Sequence, residues 1–266
     1  MVSFVATPIG NLKDITLRAL ETLKAADVIF CEDTRHTLKL LNAYEIKKPL
    51  CACHKFNERA AAEKIISAAR EGKAVAVVSD AGMPVISDPG NIVCRALREE
   101  GVDYTVIPGA NAALSALVLS ALPADGFAFI GFLPDKAGEK RRLLEKYKDL
   151  DLTLVLHVAP QDVDRDICAV YEVFGNRKAC AVREITKLHE EAVHFELKDG
   201  LAGEKRGEYV LVIEGAENEN PLCKLSVKDH LLHYISGGMA KKDAVKQVAK
   251  DRNAAKSEIY KIALEL

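Results

Sequence analysis

Apolar and polar positions alternate in blocks along the chain. Up to about residue 108, short apolar runs are separated by amphipathic stretches of helical periodicity, such as residues 14–25 and 60–69. This pattern predicts strand–helix–strand units and a mostly parallel sheet covered on both faces. Asp14 and Asp88 each precede a helical pattern, so we expect both to be N-caps. The predicted strands are residues 2–6, 28–30, 50–53, 74–78 and 104–107.

A second series of apolar runs follows a predicted linking helix at residues 110–122. Its strands lie closer together in the last third of the chain, which favours a mixed sheet. The predicted strands are residues 127–132, 153–158, 179–183, 192–197 and 209–213. We therefore predict an α/β fold with two lobes and a small helical C-terminal extension. The expected divisions are an N-terminal lobe at 1–110, a C-terminal lobe at 111–217, a polar linker at 217–221 and a helical tail at 224–266.

Charge is distributed unevenly between the body and the tail. The whole chain has 37 basic and 39 acidic residues and a net charge of −2. This charge excludes a polybasic protein whose entire surface attracts phosphate groups non-specifically. Residues 224–266 contain nine Lys and Arg against five Asp and Glu, so they carry 9 − 5 = +4 and leave −6 for the rest. A basic helical tail indicates nucleic-acid contact, and a solvated lysine-rich helix explains it equally well.

Composition excludes several other classes of protein. At 49% hydrophobic and 29% charged residues, the chain is typical of a packed globular protein. We expect reduced thiols, because the seven cysteines are an odd number and most lie in apolar segments. The start of the chain has no signal-peptide pattern. The apolar stretch 110–134 is interrupted by Pro123, Asp125 and Gly126, so we interpret it as buried core and expect no membrane association.

Four loops are predicted to meet at one edge of the first sheet. They follow strands one, two, four and five, and the carboxyl ends of parallel strands are where ligands bind. The fourth-strand loop, residues 79–90, has small residues that let a ligand approach the backbone, and Asp80 can accept hydrogen bonds there. The chain contains neither G-x-G-x-x-G nor G-x-x-x-x-G-K-[ST], so a dinucleotide fingerprint and a P-loop are both excluded.

The loop sequences resemble one family. In order they read VATPIGNLKDIT, CEDTRHT, SDAGMPVISDPG, PGANAA, GFLPDK and REITKLHEE. Together they are similar to the ribosomal RNA small subunit methyltransferase I family, within the tetrapyrrole methylase superfamily. The resemblance implies a homodimeric cytoplasmic enzyme with two α/β lobes that binds S-adenosylmethionine in the cleft between them. It also implies 2'-O-methylation of a cytidine ribose in the decoding region of 16S rRNA, with the RNA or the small subunit as partner.

The resemblance also implies which residues form the site. Asp80 is expected to help hold the positively charged sulfonium, and Glu184 to contact the cofactor. A catalytic role is predicted for Lys187, together with Glu184: Lys187 would be a base if its pKa is lowered, while holding a phosphate is the equally ordinary role. The cofactor-binding residues implied are Pro8, Asp80, Ala81, Gly82, Met83, Asn111, Ala112, Val158, Glu184, Gly207 and Glu208.

Three further segments carry predictions. Cys51-Ala52-Cys53-His54 does not have a usual zinc spacing, so no metal site is expected; His54, Asn57 and Glu58 instead resemble the family's substrate-facing loop. The basic residues after GFLP are either a solvated helix face or a phosphate contact, and we favour the contact. These residues are Lys136, Lys140, Arg141 and Arg142.

Two features concern substrate and activity. The family usually has a Tyr-Glu-Ser-Pro-His-Arg-like stretch where this chain reads Val-Ala-Pro-Gln-Asp-Val at residues 158–163, so contacts made there do not carry over. The tail has the spacing of a helix-turn-helix, with an expected core of Ala244, Val245, Val248, Ile259 and Ile262. A tetrapyrrole C-methyltransferase and a non-catalytic RNA-binding or assembly factor remain as alternative functions.

Overall fold

The computed structural model describes residues 1–216, 221–252, 254–264 and 266. Most of the linker predicted at 217–221 lies outside these residues. Contacts within the chain define two compact units, residues 1–215 and 216–266. The boundary predicted between the lobes at residue 110 stays a prediction.

The first sheet is parallel throughout, as the apolar pattern predicted. Its strand order is β3-β2-β4-β1-β5. The helices that connect these strands cover both faces. The bounds are β1 Val2–Val5, α1 Leu17–Ala25, β2 Val28–Cys31, α2 Thr34–Ala43, β3 Leu50–Ala52, α3 Glu58–Arg70, β4 Val75–Val78, α4 Asn91–Glu99 and β5 Tyr104–Ile107.

The two-residue repeat of the strands divides the first core into two layers. Phe4 and Val77 pack with α3 and α4, where Ile65 and Leu97 are fully buried. Residues that point to the opposite face, such as Ile29, pack with α1 and α2. Both faces are therefore apolar, which explains why the strands read as continuous apolar runs.

The second sheet is mixed, which confirms the prediction from strand spacing. Its order is β6-β7-β10-β8-β9, with β6 and β7 parallel and the other pairs antiparallel. Helix α5 packs on one face, and α6 and α7 pack on the other. The bounds are α5 Ala112–Ser120, β6 Phe127–Phe132, α6 Ala137–Glu145, β7 Thr153–Val158, α7 Val163–Phe174, β8 Lys178–Arg183, β9 Glu191–Glu196 and β10 Tyr209–Ile213.

The C-terminal unit is a bundle of three helices, α8 Val227–Ser236, α9 Lys241–Asp251 and α10 Lys256–Ala263. Its core contains the residues expected from the sequence, although Ile262 is only partly buried. Leu231 of α8 also belongs to this core and is fully buried. In the part of the chain that the structure describes, no helix combines the length and apolar character needed to cross a bilayer.

Both predicted N-caps are wrong, for different reasons. Asp14 ends a short 3-10 turn, and Thr16 caps α1 by accepting a hydrogen bond from the backbone N–H of Ala19 at 3.1 Å. Helix α4 begins after Gly90. Its φ of 133° is a conformation that favours glycine, and glycine has no side chain that could cap the helix. The carboxylate that serves α4 comes from another helix.

Glu58 supplies that carboxylate from the first turn of α3. Its Oε1 accepts hydrogen bonds from the backbone N–H groups of Gly90 at 2.9 Å, Ile92 at 2.6 Å and Val93 at 3.3 Å. The side chain is buried, so it does not face a substrate as the resemblance implied. A negative charge at a helix N-terminus is stabilising, and these donors would otherwise be buried without a partner.

We therefore expect Glu58→Ala to lower the free energy of unfolding by about 2–3 kcal/mol, because buried N–H groups lose a charged acceptor. Glu58→Gln, which keeps one acceptor oxygen, should lose less. Urea unfolding followed by circular dichroism measures both. An alanine variant within about 0.5 kcal/mol of wild type, the range of ordinary surface changes, would contradict this assignment.

Candidate functional site

The carboxyl ends of the first-sheet strands border a cavity of about 350 Å³. The loop after β1 and the loop after β4 are joined there by a two-residue bridge between Thr7 and Gly82, with N···O distances of 2.9 and 3.0 Å. Gly82 has a φ of 77°, a conformation that favours glycine. A Cβ on Gly82 would also lie 3.2 Å from Cγ2 of Ile9, another cavity residue. The bridge therefore depends on glycine at this position.

The first sheet contributes five of the predicted cofactor residues to the cavity wall. They lie in the loop after β4 and at the start of α5, and they are Ala81, Gly82, Met83, Asn111 and Ala112. Asn111 has a second role as the N-cap of α5, because its Oδ1 accepts a hydrogen bond from the backbone N–H of Leu114 at 3.0 Å. The N-terminal turn of α5 is therefore held at the cavity.

The second sheet forms the opposite wall. The predicted residues Val158 and Glu208 line the cavity at the adjacent ends of β7 and β10. The sequence reasoning missed their neighbours Ala159, Pro160, Ile185, Tyr209 and Val210. Ala159 and Pro160 lie within the stretch that departs from the family pattern. The departure therefore lies in the cavity wall itself, where this chain has two apolar side chains.

Pro8, Asp80, Glu184, Gly207 and Lys187 are not among the residues that line the cavity. Pro8 lies next to the lining residue Ile9. The Oδ1 of Asp80 accepts a hydrogen bond from the backbone N–H of Asp33 at 3.0 Å, which ties the end of β4 to the end of β2. A contact between Asp80 and a sulfonium therefore stays a prediction.

A cluster of hydrogen-bonded residues lies at the second-sheet wall, which Glu208 lines. It consists of Glu184, Lys187, Gly207 and Glu208. Oε1 of Glu184 accepts hydrogen bonds from Lys187 Nζ at 2.9 Å and from the backbone N–H of Glu208 at 2.9 Å. Lys187 Nζ also donates to Oε2 of Glu208 at 3.0 Å. Gly207 must be glycine, because its φ is 79° and a Cβ would lie 2.5 Å from Glu184 Oε1.

These contacts bear on the predicted base. Burial lowers the pKa of Lys187, but hydrogen bonds and charge from two carboxylates outweigh it, so the net pKa is raised. The lowered pKa on which the base prediction depended is therefore not found. Lys187 is held as a cation between Glu184 and Glu208, whereas hydrogen bonds from Lys187 and the Glu208 backbone lower the pKa of Glu184. The geometry favours a structural role for the pair.

The first-sheet edge carries a group of carboxylates. Burial, then the charges of Asp80 and Asp33, raise the pKa of Glu32, with His54 opposing them. Burial and the charges of Glu32 and Asp80 raise the pKa of Asp88 to about 6, while a hydrogen bond from Ser79 opposes the shift. Among the described residues, no group of His, Cys, Asp and Glu has the arrangement of a metal site.

At one end of the cavity, four lining residues were not predicted as site residues, although the sequence carried a signal for them. Ile86, Ser87 and Asp88 lie in the loop 79–90, and Phe132 belongs to the GFLP motif. His157 had no signal. Its ring stacks on Phe132 with centroids 5.3 Å apart and meets Phe129 edge-on at 5.2 Å, and burial lowers its pKa.

One predicted phosphate contact is wrong. The Lys140 side chain is only 3% exposed and forms an ion pair with the buried carboxylate of Asp166. A buried lysine is stable only when paired, so Lys140 joins α6 to α7 and does not reach a ligand. Lys136 and Arg141 are exposed and pair with Glu139 and Glu145 on their own helix.

Comparison with known proteins identifies the family of this chain. A sequence model of the tetrapyrrole (corrin/porphyrin) methylases matches residues 1–199. Ribosomal RNA small subunit methyltransferase I from Bacillus subtilis (strain 168) is 42% identical over 96% of this chain and 91% of its own length. The protein of the same name from Thermotoga maritima (strain ATCC 43589 / DSM 3109 / JCM 10099 / NBRC 100826 / MSB8) is 42% identical over 80% of this chain and 97% of its own.

A solved structure agrees in fold. Uroporphyrin-III C-methyltransferase from Thermus thermophilus, complexed with S-adenyl homocysteine, superposes with a TM-score of 0.56 at 20% identity, covering 79% of this chain and 96% of that one. The sequence match, which extends over nearly the whole chain, is the stronger of the two findings. The chain therefore belongs to the tetrapyrrole methylase family and, within it, to the ribosomal RNA small subunit methyltransferase I group.

Proposed function

We propose that the chain transfers the methyl group of S-adenosylmethionine to the 2'-oxygen of a cytidine ribose in the decoding region of 16S rRNA. The observation that carries the proposal is 42% identity over nearly the full chain with a protein named ribosomal RNA small subunit methyltransferase I. The tetrapyrrole methyltransferases among the solved structures share far less sequence, at 24% identity or below, and support the fold alone.

The cavity fits the cofactor in its chemistry. Its wall is mainly apolar, formed by residues such as Met83, Ala112 and Val158, with Asn111 and Glu208 as polar groups suited to an adenosine and an amino-acid end. Because Gly82 has no side chain, its backbone borders the cavity. A Cβ at this position would lie 3.2 Å from Cγ2 of Ile9. Such a wall binds a nucleoside without pyrophosphate, which accounts for the missing glycine-rich fingerprints.

When bound, S-adenosylmethionine supplies a methyl group activated by a positive sulfur. The chain has to align an acceptor oxygen with that methyl group and to exclude water, and alignment alone supplies much of a rate enhancement. In this proposal Asn111, Ala112 and Glu208 position the cofactor in the cavity. Asp80, Glu184 and Gly207 support the loops through the contacts described above, and Pro8 precedes the lining residue Ile9.

An aromatic surface at the cavity end supports an RNA substrate. Phe132 lines the cavity, yet 60% of its surface is exposed, and His157 supports the ring from one side. Proteins that act on single-stranded RNA commonly stack bases on such exposed rings. The Phe132 ring is thus the surface on which we place a nucleobase beside the target ribose.

The C-terminal unit supplies the charge for RNA contact. The apolar residues of α9 and α10 face its core, which leaves Lys241, Lys242, Lys250, Lys256 and Lys261 exposed. Lysines that attract phosphate act without base recognition and give affinity that depends on salt. We infer that this unit holds the RNA while the cavity performs the reaction in the cytoplasm.

We also infer a homodimer. Helix α5 buries one side against the second sheet but exposes Leu114, Val118 and Leu119, with Val118 79% exposed. Leu114 and Val118 lie at positions i and i+4, so they share one face of the helix, and Leu119 lies beside that face. An apolar helix face left in water is typical of a surface covered by another subunit.

The function is tested by incubating purified wild type with small ribosomal subunits and methyl-labelled S-adenosylmethionine, followed by mass spectrometry of the nucleosides. We expect 2'-O-methylcytidine. Ala112→Phe should abolish the product and the cofactor binding seen by calorimetry, because the added ring occupies the cavity. Ala202→Phe makes the same change at an exposed loop residue and should be active.

Different outcomes favour different functions. Methylation of a uroporphyrinogen-type ring but not of RNA would replace the proposal with a tetrapyrrole C-methyltransferase. Wild type that binds RNA and shows no S-adenosylmethionine binding would indicate a non-catalytic RNA-binding or assembly factor.

The role of the basic unit is tested by Lys242→Gln, Lys250→Gln and Lys256→Gln combined. If each lysine contacts a phosphate, the slope of log affinity against log salt should fall in magnitude by about 2. Fluorescence anisotropy with a fragment of 16S rRNA measures this. As control, Lys24→Gln, Lys47→Gln and Lys148→Gln remove the same charge at exposed positions ahead of strands. Equal slopes for the two triple variants would show the tail to be only a solvated surface.

The dimer is tested by sedimentation velocity. Wild type should sediment at twice the 29.0 kDa chain mass, and Val118→Asp should shift it to the monomer, because a charge cannot be buried unpaired in an apolar interface. Leu188→Asp, at an exposed position outside α5, should stay dimeric. A monomeric wild type at micromolar concentration would count against the homodimer.

A further inference from the structure

The cavity contains one carboxylate for which the preceding proposal has no role. Asp88 lines the cavity and is half-buried. A helix N-cap would have explained it, but Glu58 accepts the hydrogen bonds at the start of α4. The side chain of Asp88 is therefore not required to build the helix that follows it.

The backbone holds Asp88 in place at a cost. Val85 and Ser87 have φ values of 79° and 67°, in the left-handed region that side chains rarely adopt. Such conformations persist only where the surrounding structure enforces them, and they cluster at functional sites. The loop also touches the second sheet, since a Cβ on Gly131 would lie 3.2 Å from Ser87 Oγ. Asp88 is thus fixed beside the end of β6, where Phe132 faces the cavity.

The electrostatic setting makes Asp88 a better proton acceptor than an ordinary carboxylate. Burial, followed by the negative charges of Glu32 and Asp80, raises its pKa to about 6, against a hydrogen bond from Ser79. At neutral pH the group is mainly ionised, and its affinity for a proton is higher than that of a solvated aspartate. A general base works best when its pKa lies close to the working pH.

The other ionisable groups at the cavity are less suitable. Glu208 already accepts a hydrogen bond from Lys187 at 3.0 Å. His157 lies between the rings of Phe129 and Phe132, so its imidazole is engaged in packing against both. Lys187 is held as a cation, as described above.

We propose that Asp88 is the general base of the methyl transfer, an assignment that rests on the proposed function. A carboxylate oxygen of Asp88 accepts the proton of the ribose 2'-hydroxyl as the oxygen forms its bond to the methyl carbon. The carbon–sulfur bond breaks at the same time and its electron pair stays on sulfur, which becomes neutral. Asp88 then releases the proton to water when the methylated RNA leaves.

The first test is Asp88→Asn, which keeps the shape and removes the base. We expect the single-turnover rate on small subunits to fall by about 10²-fold or more, while calorimetry shows unchanged affinity for S-adenosylhomocysteine. The wild-type rate should rise with pH and level off above the Asp88 pKa of about 6, and the variant should lose this rise. Asp103→Asn, the same change at an exposed residue ahead of β5, should behave as wild type.

A measurement without substrate tests the setting of Asp88. Because its folded pKa of about 6 exceeds the ordinary aspartate pKa of 3.8, the folded state binds more protons than the unfolded state between these values, and wild type loses stability as pH rises. Asp88→Asn lacks this loss. Its free energy of unfolding should therefore improve relative to wild type between pH 4 and pH 7, as measured in urea. A constant difference would contradict the buried, charge-crowded carboxylate.

Glu32→Gln tests the assignment while keeping the carboxylate of Asp88. Removal of a neighbouring negative charge should lower the Asp88 pKa, so the rising part of the pH–rate profile should move to lower pH. An active Asp88→Asn with an unchanged pH profile overturns the assignment, as does a profile that disappears only in His157→Gln. If wild type transfers no methyl group to small subunits, it is the proposed function that fails.

Discussion

The site depends on the close backbone approach of loops that come from two different sheets. A Cβ on Gly10, after β1, would lie 2.6 Å from Cγ of Lys187 and 2.9 Å from the carbonyl oxygen of Ile185. On the other side of the cavity, Gly131 lets β6 come against Ser87. These contacts set the distance between the sheets. A cavity suited to a nucleoside exists because side chains are missing where the loops meet.

Polar groups are distributed so that the two walls can do different chemistry. On the second-sheet side, Lys187 pairs with both Glu184 and Glu208, which links the residue after β8 to the residue before β10 beside a mainly apolar wall. On the first-sheet side, burial and the charge of Asp80 raise the pKa of both Glu32 and Asp88, and the charge of Glu32 raises the pKa of Asp88 further. A general base and a wall whose charges are already paired can thus coexist in one small cavity, since burial and neighbouring charges rather than residue type set each role.

Much of this could be predicted from the sequence, for reasons that are local. Runs of three to six mainly apolar residues marked the ten strands of the described residues, and strands buried on both faces, such as β4 and β10, are apolar at nearly every position. Turn-forming residues in the loop 79–90 and the asparagine before α5 marked the cavity edge. Motif order across most of the chain then indicated the family, which the comparisons bear out.

Three of the failures share one physical cause, which is that they depend on partners distant in sequence. Asp88 looked like the cap of α4, but Glu58, 32 residues before Gly90, accepts the hydrogen bonds at the start of that helix. Lys140 looked like a phosphate ligand until α7 brought Asp166 to it. Lys187 looked like a base until β10 added a second carboxylate. The sequence by itself determined the strands, the helices and the loops that carry the chemistry. Only the tertiary structure decided which charges are paired, because hydrogen bonding and proton affinity depend on neighbours that folding alone brings together.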